Sequence, residues 1–229
     1  MNTLPLFILL IYALYEGLLH AFEADHILAV TNIVSQRNKI FPALKDGILW
    51  GLGHTSTIFL IGIIMIFFKV NIPDSSFSYF EAAVGLMLIL VASYRLYVFF
   101  KKERSETVHT HKHEHAGENR MPHIHVHFRN ENLHKASYGI GLVHGLAGSG
   151  ALVVLVMTQI KTLTSSLLYL AIFGVGSIIG MTLVAGVFSV PFSKKLINLR
   201  WLRTALVLVS SVLCFAYGCY VVYINLTNG

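Results

Sequence analysis

The sequence predicts an all-α, polytopic membrane protein with six transmembrane helices, arranged as two inverted three-helix repeats joined by a histidine-rich cytoplasmic linker. The composition supports a membrane class, because 55% of the 229 residues are hydrophobic and only 12% are charged. Soluble domains carry about 25% charged residues. The apolar residues also cluster into long runs, and a helix needs about 20 such residues to cross a bilayer core of roughly 30 Å.

Six of these runs follow one another along the chain. The first lacks the positively charged start of a secretory signal peptide, since no Lys or Arg precedes Arg37, and we expect it to be a retained span. Three runs fall in a first repeat, 1–100, and three in a second, 137–229, with the linker at 101–136 between them. The six runs are 4–31, 47–68, 78–100, 137–159, 165–190 and 202–224.

The positive charges indicate how the spans are oriented. Most of the 17 basic residues lie in the first, third and fifth loops between the predicted spans. Cytoplasmic loops are enriched in Lys and Arg, so we expect both termini outside and the linker in the cytoplasm of a bacterial-type inner membrane. The net charge of +6 is therefore a topology signal in a protein whose partner is the lipid bilayer, and it does not indicate nucleic-acid binding.

Internal similarity supports the repeat. The stretch "GLLHAFEADHILAV" (17–30) matches "GLVHGLAGSGALVV" (141–154) at an offset of 124, and "GLGHTST" (51–57) matches "GVGSIIG" (174–180) at 123. The same offset of 123 places Tyr94 and Tyr97 opposite Tyr217 and Tyr220. Because three is an odd number of spans, the two copies have opposite orientations. Transporters built in this way bind their substrates near the membrane midplane, where the repeats meet.

Ionisable residues interrupt the apolar runs of both halves, most densely in "LLHAFEADHILAVTN" (18–32). Each costs roughly 2.5–3.5 kcal/mol at bilayer depth, and packing alone does not require them. A divalent cation is a suitable partner, since imidazole and carboxylate groups are its usual ligands. The sequence therefore predicts an intramembrane metal site from His20, Asp25, His26, His54, Glu23, Glu16 and His144.

Helix geometry limits how these residues can cooperate. Residues three or four apart share a helix face, so Glu16, His20 and Glu23 form one stripe, whereas Asp25 faces away from His20. Either the helix breaks near residues 24–26 or Asp25 has another partner, and its role as a direct ligand or as an acceptor that orients a histidine stays open. Arg95 is expected to extend to the cytoplasmic interface. Supporting or pathway roles are expected for Thr55, Ser56, Ser149, Ser177 and Asn32.

The motifs themselves resemble a known family. "HAFEADHI" (20–27) resembles the H-x4-D-H signature of the nickel/cobalt transporter family, and "LGHTSTI" (52–58) is similar to its second motif, L-G-H-S-T. The resemblance implies that Ni²⁺ or Co²⁺ is transported, with His20, Asp25, His26 and His54 at the motif positions and no separate cofactor. The chain departs from the usual family pattern in three ways: it has six spans instead of eight, Glu23 in place of Asp, and a less acidic second half. In these respects it is more similar to the shorter urease-accessory branch, and this resemblance implies a link to nickel-enzyme maturation proteins.

The linker holds a second group of potential ligands. Alternating imidazoles in a polar tract bind Ni²⁺, Co²⁺, Zn²⁺ or Cu²⁺ with little selectivity. We predict a cytoplasmic metal buffer that affects regulation more than transport itself. The histidines of its stretch 108–128 are His109, His111, His113, His115, His123, His125 and His127.

Two other functions stay open. One is an intramembrane zinc-dependent hydrolase, in which the buried His and Asp residues activate water near Ser149. The other is a metal-sensing or maturation accessory protein built around the linker. We expect a transporter rather than an enzyme, and the ligand types leave Zn²⁺ open beside Ni²⁺ and Co²⁺. The sequence is compatible with a homo-oligomer.

Overall fold

In the computed structural model, the described residues are 6–37, 39–68, 74–105, 131–159, 162–193 and 200–227, and within these ranges the chain is helical apart from short turns. The predicted all-α class is therefore confirmed. The seven histidines between residues 109 and 127 lie outside the described residues, so their role stays a prediction. The helices are α1 Leu6–His20, α2 Ala24–Val34, α3 Ile40–Phe68, α4 Asp74–Ser105, α5 Glu131–Gln159, α6 Leu163–Ser189 and α7 Arg200–Thr227, with a 3-10 turn at Val190–Phe192.

Several of the helices could cross a membrane. Within the described residues, four are long and apolar enough to do so, and the bent pair α1–α2 adds a fifth if it forms one span. The predicted span 137–159 lies within α5, whose side chains beyond residue 147 are outside the described part. The count of six spans stays a prediction. The four apolar segments are Ile40–Met65, Ser76–Lys101, Leu163–Phe192 and Trp201–Thr227.

The first predicted span is broken into α1 and α2, whose axes differ by 55°. Backbone N–H groups of Phe22 and Glu23 bond the carbonyls of Leu19 and His20 at 2.8 and 3.2 Å, which closes α1 in a tight turn. Glu23 is extended, with φ −64° and ψ 153°, and α2 begins after it. The helix therefore breaks at residues 21–23, directly before the region 24–26 named in one of the two expected alternatives, whereas residues 24–26 are helical.

Two helix crossings depend on matched glycines. A β-carbon on Gly17 of α1 would collide with the Phe173 carbonyl oxygen and lie 3.0 Å from the Ser177 nitrogen. A β-carbon on Gly141 of α5 would collide with the Trp50 carbonyl oxygen and lie 3.0 Å from the His54 nitrogen. Glycine thus allows α1 to approach α6, and α5 to approach α3, at backbone distance.

Arg95 does not extend to the interface, so that prediction is wrong. Its side chain is 5% exposed, and its guanidinium donates to the Ser35 hydroxyl at 2.6 Å and to the Ser35 carbonyl at 3.3 Å. The last carbonyls of a helix lack partners within that helix. The end of α2 therefore offers acceptors that hold this charge inside the protein.

Candidate metal site

The structure brings four predicted histidines together from four helices. His20 ends α1, His26 lies in the first turn of α2, and His54 and His144 lie within α3 and α5. The ring centroids are 4.1 Å apart for His26 and His144, 4.5 Å for His20 and His26, and 5.0 Å for His20 and His54. All four side chains are buried. The cluster thus combines three helices of the first predicted repeat with one helix of the second.

Two carboxylates fix the orientation of these imidazoles. Asp25 accepts a hydrogen bond from His26 Nδ1–H at 3.0 Å with one oxygen and from His144 Nε2–H at 2.8 Å with the other. Glu23 accepts from His20 Nδ1–H at 2.9 Å. Each bond fixes the proton on the bonded nitrogen and leaves the other ring nitrogen as an acceptor or a ligand. Asp25 therefore orients two histidines rather than contacting His20.

Several ring nitrogens of the cluster have no hydrogen-bond partner within the described structure. They are His26 Nε2, His54 Nδ1 and His144 Nδ1, and all are buried. A buried acceptor without a partner costs about 1–3 kcal/mol. Such atoms are rare in folded proteins, and a ring nitrogen that carries no proton can act as a metal ligand.

The spacing of the side chains fits a metal ion. Potential ligand atoms of His20, His26 and His54 lie within 4.8 Å of one another, as do those of Asp25, His26 and His144. The Nε2 atoms of His20 and His54 are 3.1 Å apart. Ligands that share one ion through bonds of about 2.0–2.1 Å are themselves about 3–4 Å apart. A small inward movement of the three imidazoles would therefore close around one cation.

The break between α1 and α2 also shapes the electrostatics. Asp25 lies in the first turn of α2, where the positive end of the helix dipole stabilises a carboxylate. His20 is the last residue of α1, where the negative end of the dipole favours a cation. The broken helix therefore supports both the carboxylate and the ion in an apolar environment.

Two aromatic residues that the sequence analysis missed enclose the cluster. Trp50 stacks against His26 at a centroid distance of 5.6 Å and lies 5.5 Å from His144. Phe173 lies 5.7 Å from His20. Both rings are buried and limit the movement of the imidazoles. Trp50 and Phe173 occupy matching positions at the offset of 123 in "WGLGH" and "FGVGS", a signal that could have found them.

Not every predicted site residue joins the cluster. Glu16 is half-buried on α1 and belongs to neither group of potential ligands among the described residues. Asn32 connects α2 to α7, donating to the Ser210 carbonyl at 3.2 Å and accepting from the Ser211 hydroxyl at 2.9 Å. This arrangement is that of a packing residue.

The hydroxyl residues differ in the same way. Thr55 donates to the Gly174 carbonyl at 3.3 Å, and Ser56 is exposed and donates to the Leu52 carbonyl of its own helix at 2.7 Å. Ser177 is fully buried, and its Oγ has no partner within the described structure. The side chain of Ser149 lies outside the described residues.

A cavity of about 460 Å³ reaches the Asp25 carboxylate from one side of the protein. Its walls come from the start of α2, from α4 and from the end of α7, and they include Glu23, Glu81, Tyr217 and Asn225. The three carboxylates make this cavity favourable for a cation. It therefore offers a polar route to the edge of the histidine cluster.

Buried histidines oriented by carboxylates within a bundle of apolar helices define a multi-pass membrane protein with a site suited to a divalent metal. The model of the NicO family, described as high-affinity nickel-transport protein, matches residues 6–207. The chain belongs to this family, as the motif resemblance predicted.

Two curated relatives span nearly the whole chain. One is named urease accessory protein UreH, from Bacillus sp. (strain TB-90), and is 28% identical over 234 residues, covering 100% of this chain and 97% of the relative. The other is named "Putative nickel/cobalt efflux system MJ1092", from Methanocaldococcus jannaschii, and is 28% identical over 221 residues, covering 93% and 91%. No solved structure matches the chain.

Proposed function

We propose that the protein is a membrane transporter of nickel or cobalt and that His20, His26 and His54 bind the ion during transit. The observation that carries this proposal is the buried group of three imidazoles, with ligand atoms within 4.8 Å of one another, in a member of a nickel-transport family. The names of the two relatives, one a urease accessory protein and one a nickel/cobalt efflux system, support the same metals.

The chemistry of the site favours these ions. Neutral imidazoles bind Ni²⁺, Co²⁺ and Zn²⁺, and nearby charges must offset the cost of a dication in the membrane. Asp25 and Glu23 supply two negative charges through hydrogen bonds to the ligand histidines. Such carboxylates fix the ligand tautomer and raise its basicity. We therefore assign Asp25 and Glu23 to orientation and charge compensation, and His144 to the support of Asp25.

We also propose that residues 1–100 and 137–229 are inverted repeats, with both termini outside and the linker in the cytoplasm of an inner membrane. The two matched glycine crossings support it, because α1 meets α6 as α5 meets α3. Under this arrangement the cavity opens to the outside. Its lining includes the start of α4 and the end of α7, which the charge distribution assigns to that side.

A hydrolase is less well supported by the same geometry. Zinc hydrolases keep an open coordination position where the metal-bound water meets the substrate. Here all four imidazoles are buried, and the cavity reaches Asp25 and Glu23. The three imidazoles proposed as ligands come from α1, α2 and α3, which resembles the transporter sites formed by a broken helix and its neighbours.

Radiometal flux into proteoliposomes tests the proposal. Purified protein should carry ⁶³Ni²⁺ down an imposed gradient, with Co²⁺ and Zn²⁺ as competitors. We expect His26→Ala and His54→Ala to reduce flux at least tenfold, because each removes a ligand. Ser56→Ala is the matched control, since that hydroxyl bonds only within its own helix and is exposed. Wild-type flux in both histidine variants would contradict the proposal. Metal binding without flux in the intact protein would favour an accessory or sensing role.

We propose that the histidine-rich linker buffers metal on the cytoplasmic side. Deletion of residues 109–127 should then reduce the number of ions bound per protein while the initial flux stays within about twofold, because the ligands for transit lie elsewhere. Loss of flux on this deletion would instead make the linker part of the pathway.

A further inference from the structure

A second buried charged group lies apart from the histidine cluster. Asp46 on α3 and Arg37 before α3 are 1% and 2% exposed. Arg37 makes a bidentate ion pair, with Nε donating to one Asp46 oxygen at 2.5 Å and Nη2 to the other at 2.7 Å. His134, at the start of α5, donates from Nδ1 to the same carboxylate at 2.6 Å. The three residues therefore join the α2–α3 connection, α3 and α5.

This group lies beyond the metal site along the helices. His134 precedes His144 by ten residues on α5, or about 15 Å, and Asp46 precedes His54 by eight residues on α3, or about 12 Å. The Arg95 hydrogen bonds to Ser35 lie at the same end of the bundle, because Ser35 is two residues before Arg37. Four helices thus converge on this end through buried charges.

The cavity lies on the opposite side of the site. Glu81, in its lining, is fourteen residues before Arg95 on α4, so these residues are about 21 Å apart along that helix. The histidine cluster is therefore placed between a polar cavity and a closed, charged end. The positive-inside pattern assigns the closed end to the cytoplasm.

We infer that Arg37, Asp46 and His134 form a gate that closes the cytoplasmic end of the ion pathway. This inference rests on the proposed transport function. In transport by alternating access, one side of the site is closed while the other is open. A buried ion pair suits this role because opening it costs free energy. Once the two side chains separate, each charge must be hydrated or must find a new partner. The Arg37 guanidinium also repels an approaching dication, and His134 makes the closure depend on the position of α5.

One residue reports directly on this closure. Ser137 is fully buried and lies one turn from His134 towards His144. His134, Ser137, Gly141 and His144 recur at intervals of three and four, and so lie on one face of α5. Gly141 of this face contacts Trp50 and His54 of α3. A thiol at position 137 should therefore stay inaccessible from the cytoplasm while the gate is closed.

The experiment uses the full chain with Ser137→Cys, after both native cysteines, Cys214 and Cys219, are replaced by Ala. Inside-out vesicles are treated with a membrane-impermeant maleimide. We expect Asp46→Asn to raise the labelling rate at least tenfold and His134→Ala to raise it by less, because the Arg37–Asp46 pair survives the second change. Lys45→Gln is the matched control, since Lys45 adjoins Asp46 but is exposed, and it should label as slowly as the parent.

Three results would overturn the gate: rapid labelling of the parent, unchanged labelling in both gate variants, or an equal rise in right-side-out vesicles, which indicates loosened packing. His134→Ala keeps the test informative if Asp46→Asn does not fold, because it leaves the ion pair intact. Labelling requires no transport, so a closed gate can be established even if flux fails. His26→Ala should abolish flux without changing the labelling rate, which separates the two proposals.

Discussion

Asp25 is the residue on which the geometry of the histidine cluster depends. Its two oxygens bond histidines from different helices, His26 on α2 and His144 on α5. It is partly exposed, at 21%, whereas His26 and His144 are at most 1% exposed. The carboxylate therefore lies at the boundary between the cavity and the buried rings. A change there should alter metal affinity without removing a ligand.

Asp25→Asn tests this role. The amide can still bond one ring but loses the negative charge and one acceptor, so we expect metal affinity to fall by about 10–100-fold. Isothermal titration with Ni²⁺ in detergent measures it. Glu16→Gln, a change at a half-buried carboxylate outside the cluster, should alter the dissociation constant by less than about threefold. Equal losses in the two variants would contradict the assignment and restore Glu16 to the site.

The residues of the cluster were predictable from the sequence because ionisable groups in a membrane span are costly. The hydrogen bonds that join distant members of the cluster were not predictable. The bond between Glu23 and His20 follows the expected three-residue stripe, whereas the bond between Asp25 and His144, at a separation of 119 residues, depends on how α5 packs against α2. Periodicity within one helix carries no such information. The same limit applies to Asn32, whose hydrogen bonds to Ser210 and Ser211 cross from α2 to α7.

At the scale of helices, the five-residue spacing of His20 and Asp25 predicts either a break or a separate partner for Asp25. The structure has both, with the break between α1 and α2 and with His26 and His144 as the partners of Asp25. The close helix crossings also have a sequence signal in the matched glycines. The burial of the Arg95 side chain had no signal in the sequence, since its acceptor atoms belong to Ser35 at the end of α2. The crossing of α4 and α7 is another exception. A β-carbon on Gly85 would lie 2.8 Å from the Gly218 carbonyl oxygen, and one on Gly218 would lie 2.7 Å from the Gly85 carbonyl oxygen. This pair is at an offset of 133 rather than the 123 of the tyrosine match.

Gly17→Ala and Gly141→Ala should each destabilise the protein, because the new methyl group meets a backbone carbonyl that cannot rotate away. Overpacking of this kind costs about 1–3 kcal/mol, and thermal unfolding in detergent should show a lower midpoint for both. Gly139→Ala is the matched control on α5, since nothing lies within 4 Å of its β-carbon position. A midpoint unchanged in Gly17→Ala and Gly141→Ala would show that these crossings are looser than described.

For the whole molecule, the order of the apolar runs and the charge bias of the loops determine the expected topology. These signals are strong because the bilayer restricts span length and loop charge. The group of Arg37, Asp46 and His134 was not predictable in the same way. Asp46 falls at the edge of a predicted span, and His134 lies in the predicted linker 101–136, after its histidine-rich stretch. Neither residue therefore stands out before α3 and α5 are brought together.

Reporter fusions test the topology. Alkaline phosphatase is active only outside the inner membrane, so a fusion after residue 227 should be active and a fusion within 106–130 inactive. Green fluorescent protein at the same positions should give the opposite pattern. An active phosphatase in the linker would reverse the orientation and would place the cavity on the cytoplasmic side.

The origin of the three imidazoles proposed as ligands has a consequence for how an ion would move. His20, His26 and His54 all belong to the first half of the chain, and the second half is joined to them through carboxylate–histidine bonds, Asp25 to His144 and Asp46 to His134. Displacing α5 would break these two bonds without separating the three imidazoles. The ion would then stay bound to the first half while movement of the second half opens or closes the pathway. Release of the ion would depend on rotation of the His20 side chain away from Glu23 at the break between α1 and α2.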